Sequence, residues 1–381
     1  MTVVVRPPSD IDAWILAGQS NMEGVGELSD ALPSDERVWS FTSAGRWEQA
    51  REPLHRFWES FTPVHQMLCR RNLAQARQQL SDGELAELEL RERTHGAGLG
   101  LAFAHDMLQA TGRPIGLLPC AHGGTSLAQW SPEQRHRGGD SLYGALCARV
   151  ERAGVRPRGI LWYQGESEGW DLAAATTYGQ DFATFVSRIR SDLGDPELPV
   201  LVVQIGCTML DTPQAAAWNL VQRAQAGLPG SIPGTEVTSA IDLPLVDAIH
   251  INANGLKRLG QRLARLALGQ RGPRLIAAHR GSEPPDRGLV TLDFADVTGG
   301  WQPADHIAGF EVLTGTGQVH AVNHVINAFR DRVDPARLRI RLNLPLADGD
   351  RLVYGHGLRP YCNAVDAAGM PLLAGEIPIE R

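Results

Sequence analysis

In the stretch A-W-I-L-A-G-Q-S-N-M (residues 13–22), five apolar residues follow one another without interruption and stop at a glycine and three polar residues. Such an unbroken apolar run is typical of a strand that is buried on both faces of a parallel sheet. Later runs of the same kind occur at residues 115–121, 159–164, 200–205 and 237–243. Between them, apolar residues recur at helical spacing. Strands that alternate with helices predict βαβ units and hence an α/β fold, a doubly wound parallel sheet with helices on both faces.

The length of 381 residues exceeds the ~100–200 residues of one ordinary domain, so we expect two domains. After residue 274 the pattern changes. In L-R-I-R-L-N-L (338–344) apolar and polar residues alternate strictly, which is typical of a half-buried antiparallel strand. We therefore predict a main domain at residues 1–274 and a smaller C-terminal β-rich domain at 275–381. Residues 39–93 interrupt the strand–helix rhythm, and we interpret them as an insertion that caps one edge of the main sheet.

The composition argues against several classes of function. A net charge of −7 argues against nucleic-acid binding, which needs clustered Lys and Arg to neutralise phosphates. The five cysteines are widely spaced and form no C-x-x-C pair, so we expect reduced thiols, no metal site and no cofactor. The first ten residues lack the apolar run of a signal peptide, and no later segment approaches the length of a membrane span. We expect a cytoplasmic protein without membrane partners, and its oligomeric state stays open.

The stretch W-Y-Q-G-E-S-E-G-W (residues 162–170) contains a complete G-x-S-x-G, the mark of a nucleophile elbow. Its serine, Ser167, sits between Glu166 and Glu168, whose negative charges oppose an oxyanion that forms beside them. An α/β-hydrolase elbow also needs its acid and its histidine at the ends of two later strands, whereas the best-placed pair in this chain shares one loop. We therefore predict that Ser167 is not the nucleophile.

Polar motifs follow four of the predicted strands, and ligands of an open parallel sheet bind beyond the carboxyl ends of its strands. In chain order these motifs are G-Q-S-N-M (18–22), H-G-G-T-S (122–126), Q-G-E-S-E (164–168) and D-A-I-H (247–250). Serine hydrolysis needs a nucleophile, a histidine base, an acid that fixes the histidine tautomer, and donors for the oxyanion. Asp247 and His250 can meet across one loop, and His250 can then reach Ser20. Taken alone, the first motif also fits a simple turn and the last a polar surface loop, but their combination favours a Ser-His-Asp triad.

These motifs, in this order and together with W-Y-Q-G-E, resemble those of the SGNH/GDSL-type hydrolases, which have a flavodoxin-like sheet. More narrowly, the chain is similar to the branch that contains sialate O-acetylesterases and acetylxylan esterases. The similarity covers most of the chain, including residues 348–372, which are similar to the β-domain tail of sialate O-acetylesterases. It implies a serine esterase that removes acetyl groups from a carbohydrate, such as acetylated sialic acid or acetylated xylan, through an acyl-enzyme and without a cofactor.

The resemblance assigns a role to each matching residue. Ser20 matches the nucleophile and also offers its backbone N–H to the oxyanion, while the D-x-x-H motif supplies the acid and the base. The second oxyanion donor is the backbone N–H of Gly124 or, alternatively, of Gly123. The third donor is the side-chain amide of Gln164.

Other residues near these motifs have supporting roles in our interpretation. Asn21 stabilises the turn after the first strand. Glu166 supports the third motif, although a contact with substrate hydroxyls or a part as alternative acid for the histidine stays open. Trp130 and Trp170 are predicted to stack on sugar rings, while core packing is the commoner position of a tryptophan beside a buried strand. Asp242 is a rival acid, which we interpret as structural because it lacks the D-x-x-H spacing.

Two other functions fit the same chain. A short-chain lipase or thioesterase uses the same fold and would need an apolar tunnel for its acyl chain. A carbohydrate-binding protein without activity would carry its affinity in the C-terminal β domain. The presence of Ser20, Gln164, Asp247 and His250 together argues against this function. The sequence leaves open which sugar and which hydroxyl carry the acetyl group.

Overall fold

The computed structural model describes residues 7–281, 288–319 and 324–379. The ends of the two predicted domains, residues 1–6 and 380–381, lie outside the described residues. The strands up to residue 239 are, in chain order, β1 (Asp12–Gly18), β2 (Gly26–Glu27), β3 (Val38–Phe41), β4 (Trp47–Gln49), β5 (His95–Ala97), β6 (Ile115–Pro119), β7 (Pro157–Tyr163), β8 (Val200–Gln204) and β9 (Thr235–Ser239).

The helices alternate with these strands. The α-helices are α1 (Ser20–Glu23), α2 (Pro63–Gln79), α3 (Asp82–Thr94), α4 (Gly100–Thr111), α5 (Leu142–Ala153), α6 (Leu172–Leu193), α7 (Ala215–Ser231) and α8 (Ala253–Ala267). Short 3₁₀ helices lie at Leu28–Asp30, Phe57–Glu59, Leu127–Trp130, Pro132–Asp140 and Glu166–Trp170.

Seven strands form the main sheet, in the spatial order β4-β3-β6-β1-β7-β8-β9. All neighbours run parallel except the edge pair β3 and β4. Every residue of β1, β6 and β8 is buried, as expected for strands covered on both faces. The predicted doubly wound parallel sheet is confirmed, and β1 lies at its centre between β6 and β7.

The helices that cover the sheet pack through apolar stripes. α4 packs against α8, and α6 packs against α7. α5 meets α6 through the edge-to-face pair of Tyr143 and Phe185, whose ring centroids are 6.0 Å apart. In α8 the apolar residues at helical spacing face the core, since Leu256, Leu259 and Leu263 have no exposed surface. The periodicity of the sequence therefore determines which side of each helix faces the core.

The remaining strands build the C-terminal β part. They are β10 (Arg274–Arg280), β11 (Leu289–Ala295), β12 (Trp301–Gln302), β13 (Phe310–Leu313), β14 (Val325–Arg330), β15 (Leu338–Leu342), β16 (Arg351–Tyr354), β17 (Val365–Asp366) and β18 (Gly375–Ile377). All their pairings are antiparallel, and the largest sheet has the order β10-β11-β15-β14. In β15, Leu338, Ile340 and Leu342 are buried while Arg341 is exposed, as the alternation predicts. The smaller C-terminal β structure is confirmed.

Buried polar contacts join this part to the main sheet. Gln204, at the end of β8, accepts from the backbone N–H of Ala374 at 2.8 Å and donates to the carbonyl of the same residue at 2.9 Å. Arg262 of α8 donates to the carbonyl of Gly369 at 2.8 Å. The C-terminal strands are therefore packed onto the main sheet through specific hydrogen bonds.

Residues 39–93, interpreted from the sequence as an insertion that caps one edge of the main sheet, contribute strands to that edge. Their first part forms most of β3 and all of β4, which extend the main sheet: β3 pairs in parallel with β6, and β4 pairs with β3. The sequence pattern did not reveal these strands because they have only four and three residues. The later part forms α2 and α3, as the helix-like composition indicated.

Gly260 lies where α8 packs closely against α4. A Cβ at this position would be 2.4 Å from the carbonyl oxygen of Leu99 and 2.7 Å from the backbone nitrogen of Phe103. We expect Gly260→Ala to lower the free energy of unfolding by about 1–3 kcal/mol, because these backbone atoms cannot move aside. Urea denaturation measures the change. The matched control is Gly227→Ala in α7, where nothing lies within 4 Å of the added Cβ. An equal loss in both variants would contradict the packing explanation.

Candidate active site

Ser20 is positioned by the end of β1. Gly18 has a φ of +131°, and a Cβ there would lie 2.1 Å from the carbonyl oxygen of Tyr163, so no side chain fits at this point between β1 and β7. The backbone N–H of Gln19 donates to the same carbonyl at 2.8 Å. The chain then turns into α1, whose first residue is Ser20. The sequence G-Q-S thus places a serine just beyond the carboxyl end of the central strand.

Ser20, His250 and Asp247 form a continuous chain of hydrogen bonds. Nε2 of His250 lies 2.9 Å from Oγ of Ser20. Nδ1 of the same ring lies 2.8 Å from Oδ2 and 3.0 Å from Oδ1 of Asp247. The structure thus brings together the three side chains predicted to form the triad. In this geometry the imidazole can take the proton of the serine hydroxyl.

The loop from Asp247 to His250 is held by its own backbone. Oδ1 of Asp247 accepts from the backbone N–H groups of Ile249, at 3.0 Å, and His250, at 2.8 Å. The N–H of Val246 donates to the carbonyl of His250 at 2.8 Å and closes the turn. Burial alone would raise the pKa of Asp247, but the hydrogen bonds from the His250 side chain and from these backbone groups keep the pKa well below its usual range. The carboxylate is therefore ionised at neutral pH and fixes the ring.

Asn21 joins the first motif to two other loops. Its Nδ2 donates to Oε1 of Glu166 at 2.7 Å, and its Oδ1 accepts from the backbone N–H of Ile251 at 2.9 Å. Burial raises the pKa of Glu166, whose Oε2 is buried and has no hydrogen-bond partner among the described residues. These hydrogen bonds connect loops and do not involve the His250 ring. Asn21 and Glu166 are placed as supports, and their part in the reaction stays a prediction.

Gly123, rather than Gly124, lies against Ser20. A Cβ on Gly123 would be 3.4 Å from Cβ of Ser20, whereas a Cβ on Gly124 would have nothing within 4 Å. Which of the two glycines donates its N–H to an oxyanion stays a prediction. The backbone N–H of Gly123 donates to Oε2 of Glu23 at 2.6 Å. Glu23 had no predicted role, although its place one helical turn after the serine was a signal that it could reach the site.

The side-chain amide of Gln164, the predicted third oxyanion donor, has two other acceptors in this structure, and its part in the reaction stays a prediction. Its Nε2 donates to Oε2 of Glu168 at 2.6 Å and to the carbonyl of Thr125 at 3.2 Å, which uses both of its N–H groups. Oε1 of Glu168 accepts from the N–H of Leu127 at 2.6 Å. Because Thr125 and Leu127 belong to the loop after β6, Gln164 and Glu168 together hold the loop that carries Gly123 and Gly124.

The tryptophans that were predicted to stack on sugar rings lie elsewhere. Trp130 is 0% exposed, and its ring meets that of Trp162 edge-on with 5.5 Å between centroids. It is a core residue and cannot contact a sugar, which corrects the prediction. Trp170 is 39% exposed but donates to Oγ1 of Thr212, and it is not part of the described wall of the cavity beside His250.

Ser167 and Asp242, the competitors for the roles of nucleophile and acid, have other partners. The hydroxyl of Ser167 donates to Oε1 of Gln19 at 3.4 Å. Asp242 forms a two-point ion pair with Arg262, with N–O distances of 2.8 and 2.6 Å. The contacts of both residues are those of structural side chains.

A cavity of about 560 Å³ opens beside the triad. His250 and Gly123 line one side, and residues of the inserted segment between positions 53 and 88 line the other. Trp58 belongs to this second wall and is 55% exposed. The sequence did not single it out as a binding residue because it lies far from every motif.

A sequence model of the family described as "Carbohydrate esterase, sialic acid-specific acetylesterase" matches residues 10–269. The chain belongs to this family. It is a carboxylic ester hydrolase, and the resemblance drawn from the four motifs is confirmed.

Individual relatives of the esterase extend this result. A probable carbohydrate esterase of Arabidopsis thaliana is 29% identical over 286 residues, which cover 69% of this chain and 91% of the relative. An X-ray structure from the same plant has a TM-score of 0.53 and 27% identity, and the match covers 69% of this chain and 99% of that one. The crystal structure of a carbohydrate acetylesterase from Xanthomonas citri has a TM-score of 0.63 and 20% identity and covers 96% of this chain and 80% of that one. This last likeness concerns the fold and includes the C-terminal β part.

Two further observations concern only the described residues of the esterase. Within residues 7–281, 288–319 and 324–379, no group of three or more His, Cys, Asp or Glu side chains is arranged to hold a metal ion. In the same ranges, no helix combines the length and the apolar character needed to cross a membrane.

Buried histidines lie behind the cavity of the esterase. Nδ1 of His65 is 3.0 Å from Nδ1 of His122, and the ring of Phe57 stacks on that of His65 with 4.3 Å between centroids. Burial lowers the pKa of His122 to about 4. Burial and the charge of Arg149 lower the pKa of His55 to about 3. Burial, the nearby ring of His122 and the charge of Arg149 hold the pKa of His65 well below its usual value. The three rings are therefore neutral at pH 7, so that one Nδ1 can donate to the other.

These histidines make the stability of the esterase depend on pH. An unfolded chain protonates histidine near pH 6.5, whereas the folded esterase resists protonation of His122 down to about pH 4. In this window the unfolded state binds more protons. We therefore expect the contribution of these histidines to the free energy of unfolding to fall as the pH drops from about 6.5 to 4, by up to about 1.4 kcal/mol per pH unit for each histidine. Glu52, whose pKa burial raises to about 7, contributes with the opposite sign. Urea denaturation at a series of pH values measures the slope. His65→Gln should make the slope smaller, and an unchanged slope would assign the effect to other groups.

Proposed function

We propose that the esterase hydrolyses O-acetyl esters of a carbohydrate by Ser-His-Asp catalysis, through an acetyl-enzyme on Ser20. The observation that carries the proposal is the hydrogen-bonded chain from Oγ of Ser20 through His250 to Asp247, with His250 in the wall of the cavity. Membership of the family supports acetyl ester hydrolysis, and the description of the family favours an acetylated sialic acid or a related acetylated sugar.

The triad geometry suits both halves of such a reaction. Nε2 of His250 takes the proton of the Ser20 hydroxyl, and Oγ attacks the carbonyl carbon of the acetyl group. Asp247 stabilises the imidazolium without taking its proton, because the pKa of this carboxyl is far too low. The ring then protonates the sugar oxygen as the ester C–O bond breaks. In the second half, the ring takes a proton from water, whose oxygen attacks the acetyl carbon. The bond between this carbon and Oγ of Ser20 then breaks, Oγ takes the proton back from the ring, and acetate leaves.

Two backbone N–H groups are the proposed donors for the oxyanion. Ser20 is the first residue of α1, so its N–H has no acceptor within that helix. The N–H of Gly123 belongs to the glycine that lies against Ser20. Removal of one such donor typically reduces turnover by ~10²–10³. Gln164 can act as a third donor only after its amide leaves Glu168.

Ser20→Ala removes the proposed nucleophile, and we expect the turnover of 4-nitrophenyl acetate to fall by roughly 10³–10⁶. Steady-state kinetics at pH 7.5 (about one unit above the ordinary pKa of histidine) measure the loss. The matched control is Ser167→Ala, which should keep the wild-type rate because its hydroxyl donates to Gln19 and not to the triad. Full activity of the Ser20 variant, or loss of activity in the Ser167 variant alone, would show that Ser20 is not the nucleophile.

Trp58 is proposed as the surface on which the sugar ring packs. It is 55% exposed and lines the same cavity as His250. We expect Trp58→Ala to raise KM for an acetylated sugar about tenfold, which corresponds to about 1.4 kcal/mol of lost contact. The KM for 4-nitrophenyl acetate should stay nearly unchanged, because this ester has no sugar ring to place there. The rate of acetate release at a series of substrate concentrations gives both KM values.

The control for this variant is Trp170→Ala, which removes an exposed tryptophan outside the cavity wall. Acetylated sialic acid and acetylated xylo-oligosaccharides are compared as substrates, so that the same series identifies the preferred sugar. An equal rise of KM for both kinds of ester would contradict a sugar-binding role for Trp58. Faster hydrolysis of long acyl chains than of acetyl esters would favour a lipase instead.

A further inference from the structure

The carboxylate of Glu23 is hydrogen-bonded to one of the two N–H groups proposed above as oxyanion donors. Its Oε2 accepts from the backbone N–H of Gly123 at 2.6 Å, and this N–H is the donor proposed above for the substrate. The same glycine lies against Ser20, since a Cβ on it would be 3.1 Å from Oε2 of Glu23 and 3.4 Å from Cβ of Ser20. One N–H group therefore has two competing acceptors, the Glu23 carboxylate and the carbonyl oxygen of the ester.

The two acceptors exclude each other. An oxyanion donor acts when it lies about 2.7–3.1 Å from the place of the developing charge. The carboxylate oxygen of Glu23 already fills that place at 2.6 Å from the nitrogen of Gly123. Two negatively charged oxygens at such short range repel each other. Glu23 must therefore leave Gly123 before the tetrahedral intermediate can form there.

Glu23 has room for this movement, and the cavity that it lines also contains a cation, Arg56, which is paired with Glu48 at 3.0 Å. The side chain of Glu23 is half-buried and lines the cavity of about 560 Å³. Arg56 lines the same cavity, and Nε of its guanidinium is buried without a hydrogen-bond partner among the described residues. Rotation about the side-chain bonds of Glu23 moves the carboxylate into the cavity and frees the N–H of Gly123. Helix α1 and Ser20 keep their places.

We propose that Glu23 is a gate on the oxyanion position and thereby determines which esters react. This inference rests on the proposed serine chemistry. A sugar ester that fills the cavity uses its binding energy to displace the carboxylate, whereas a small ester or an acetate ion competes with it unaided. The gate thus disfavours small esters and weakens inhibition by acetate, whose carboxylate binds the same N–H.

The gate is tested by the rate at which an alkyl fluorophosphonate labels Ser20 in the full chain. Oγ of Ser20 bonds to phosphorus, fluoride leaves, the proton passes to His250, and the phosphoryl oxygen takes the oxyanion position. This reaction needs no sugar, so it reports on the gate whatever the natural ester is. If the open form is about a tenth of the free enzyme, Glu23→Ala raises the labelling rate about tenfold and lowers the inhibition constant of acetate by a similar factor. Glu23→Gln removes the charge but keeps the shape, and it shifts both quantities in the same direction.

A third measurement separates the gate from a merely structural role. In both Glu23 variants kcat/KM for 4-nitrophenyl acetate should rise relative to kcat/KM for an acetylated sugar. The matched control is Glu27→Ala, because Glu27 is exposed and does not belong to the described wall of the cavity. It should be labelled at the wild-type rate. Circular dichroism and thermal unfolding verify that each variant is folded. If Glu23→Ala does not fold, the labelling rate of Glu23→Gln decides the test.

The possible outcomes distinguish the gate from the proposed function. Labelling that is equally fast or slower in folded Glu23 variants overturns the gate and leaves the proposed function intact. Faster labelling in these variants, with no hydrolysis of any acetylated sugar by the wild type, supports the gate and overturns the proposed substrate. Absence of labelling of Ser20 in every form overturns both.

Discussion

The close contact between Gly18 and the carbonyl of Tyr163 aligns the whole site. A Cβ at this position would be 2.1 Å from that oxygen, so only glycine lets β1 and β7 end side by side. Gln19 then bonds to the same carbonyl and Ser20 opens α1. The next residue, Asn21, reaches the loops that follow β7 and β9. One backbone approach, in the middle of a parallel sheet, thus sets the distances among motifs that are far apart in the chain.

The carboxylates of the site differ in the direction of their pKa shifts because their surroundings differ. Asp247 accepts several hydrogen bonds, which outweigh burial and keep its pKa low. Burial dominates at Glu166 and Glu168 and raises the pKa of both. The Asp247 carboxylate is therefore available to stabilise an imidazolium, whereas the other two hold loops through their hydrogen bonds to Asn21, Gln164 and Leu127. The same residue type serves two purposes through its environment.

The side chains of the triad and the wall of the cavity come from different parts of the chain. The triad comes from loops at the edge of the main sheet, whereas Trp58 and Arg56 come from the inserted segment. The two parts meet at the buried contact of His65, on α2, with His122, which directly precedes the oxyanion glycines. This contact fixes the inserted segment against the loop that follows β6, so the cavity is bounded by two parts of the chain that are far apart in sequence.

Patterns that repeat over several residues made the sheet, the C-terminal strands and the triad predictable. An unbroken apolar run reports burial on both faces, and the ends of parallel strands meet at one edge whatever the details of packing. The choice between Gly123 and Gly124, the direction of the Gln164 amide, the burial of Trp130 and the position of Glu23 were different in kind. Each depends on where one group points, to within an ångström, against a neighbour from another part of the chain. Periodicity averages over such directions, so they follow only from the packing of the folded molecule.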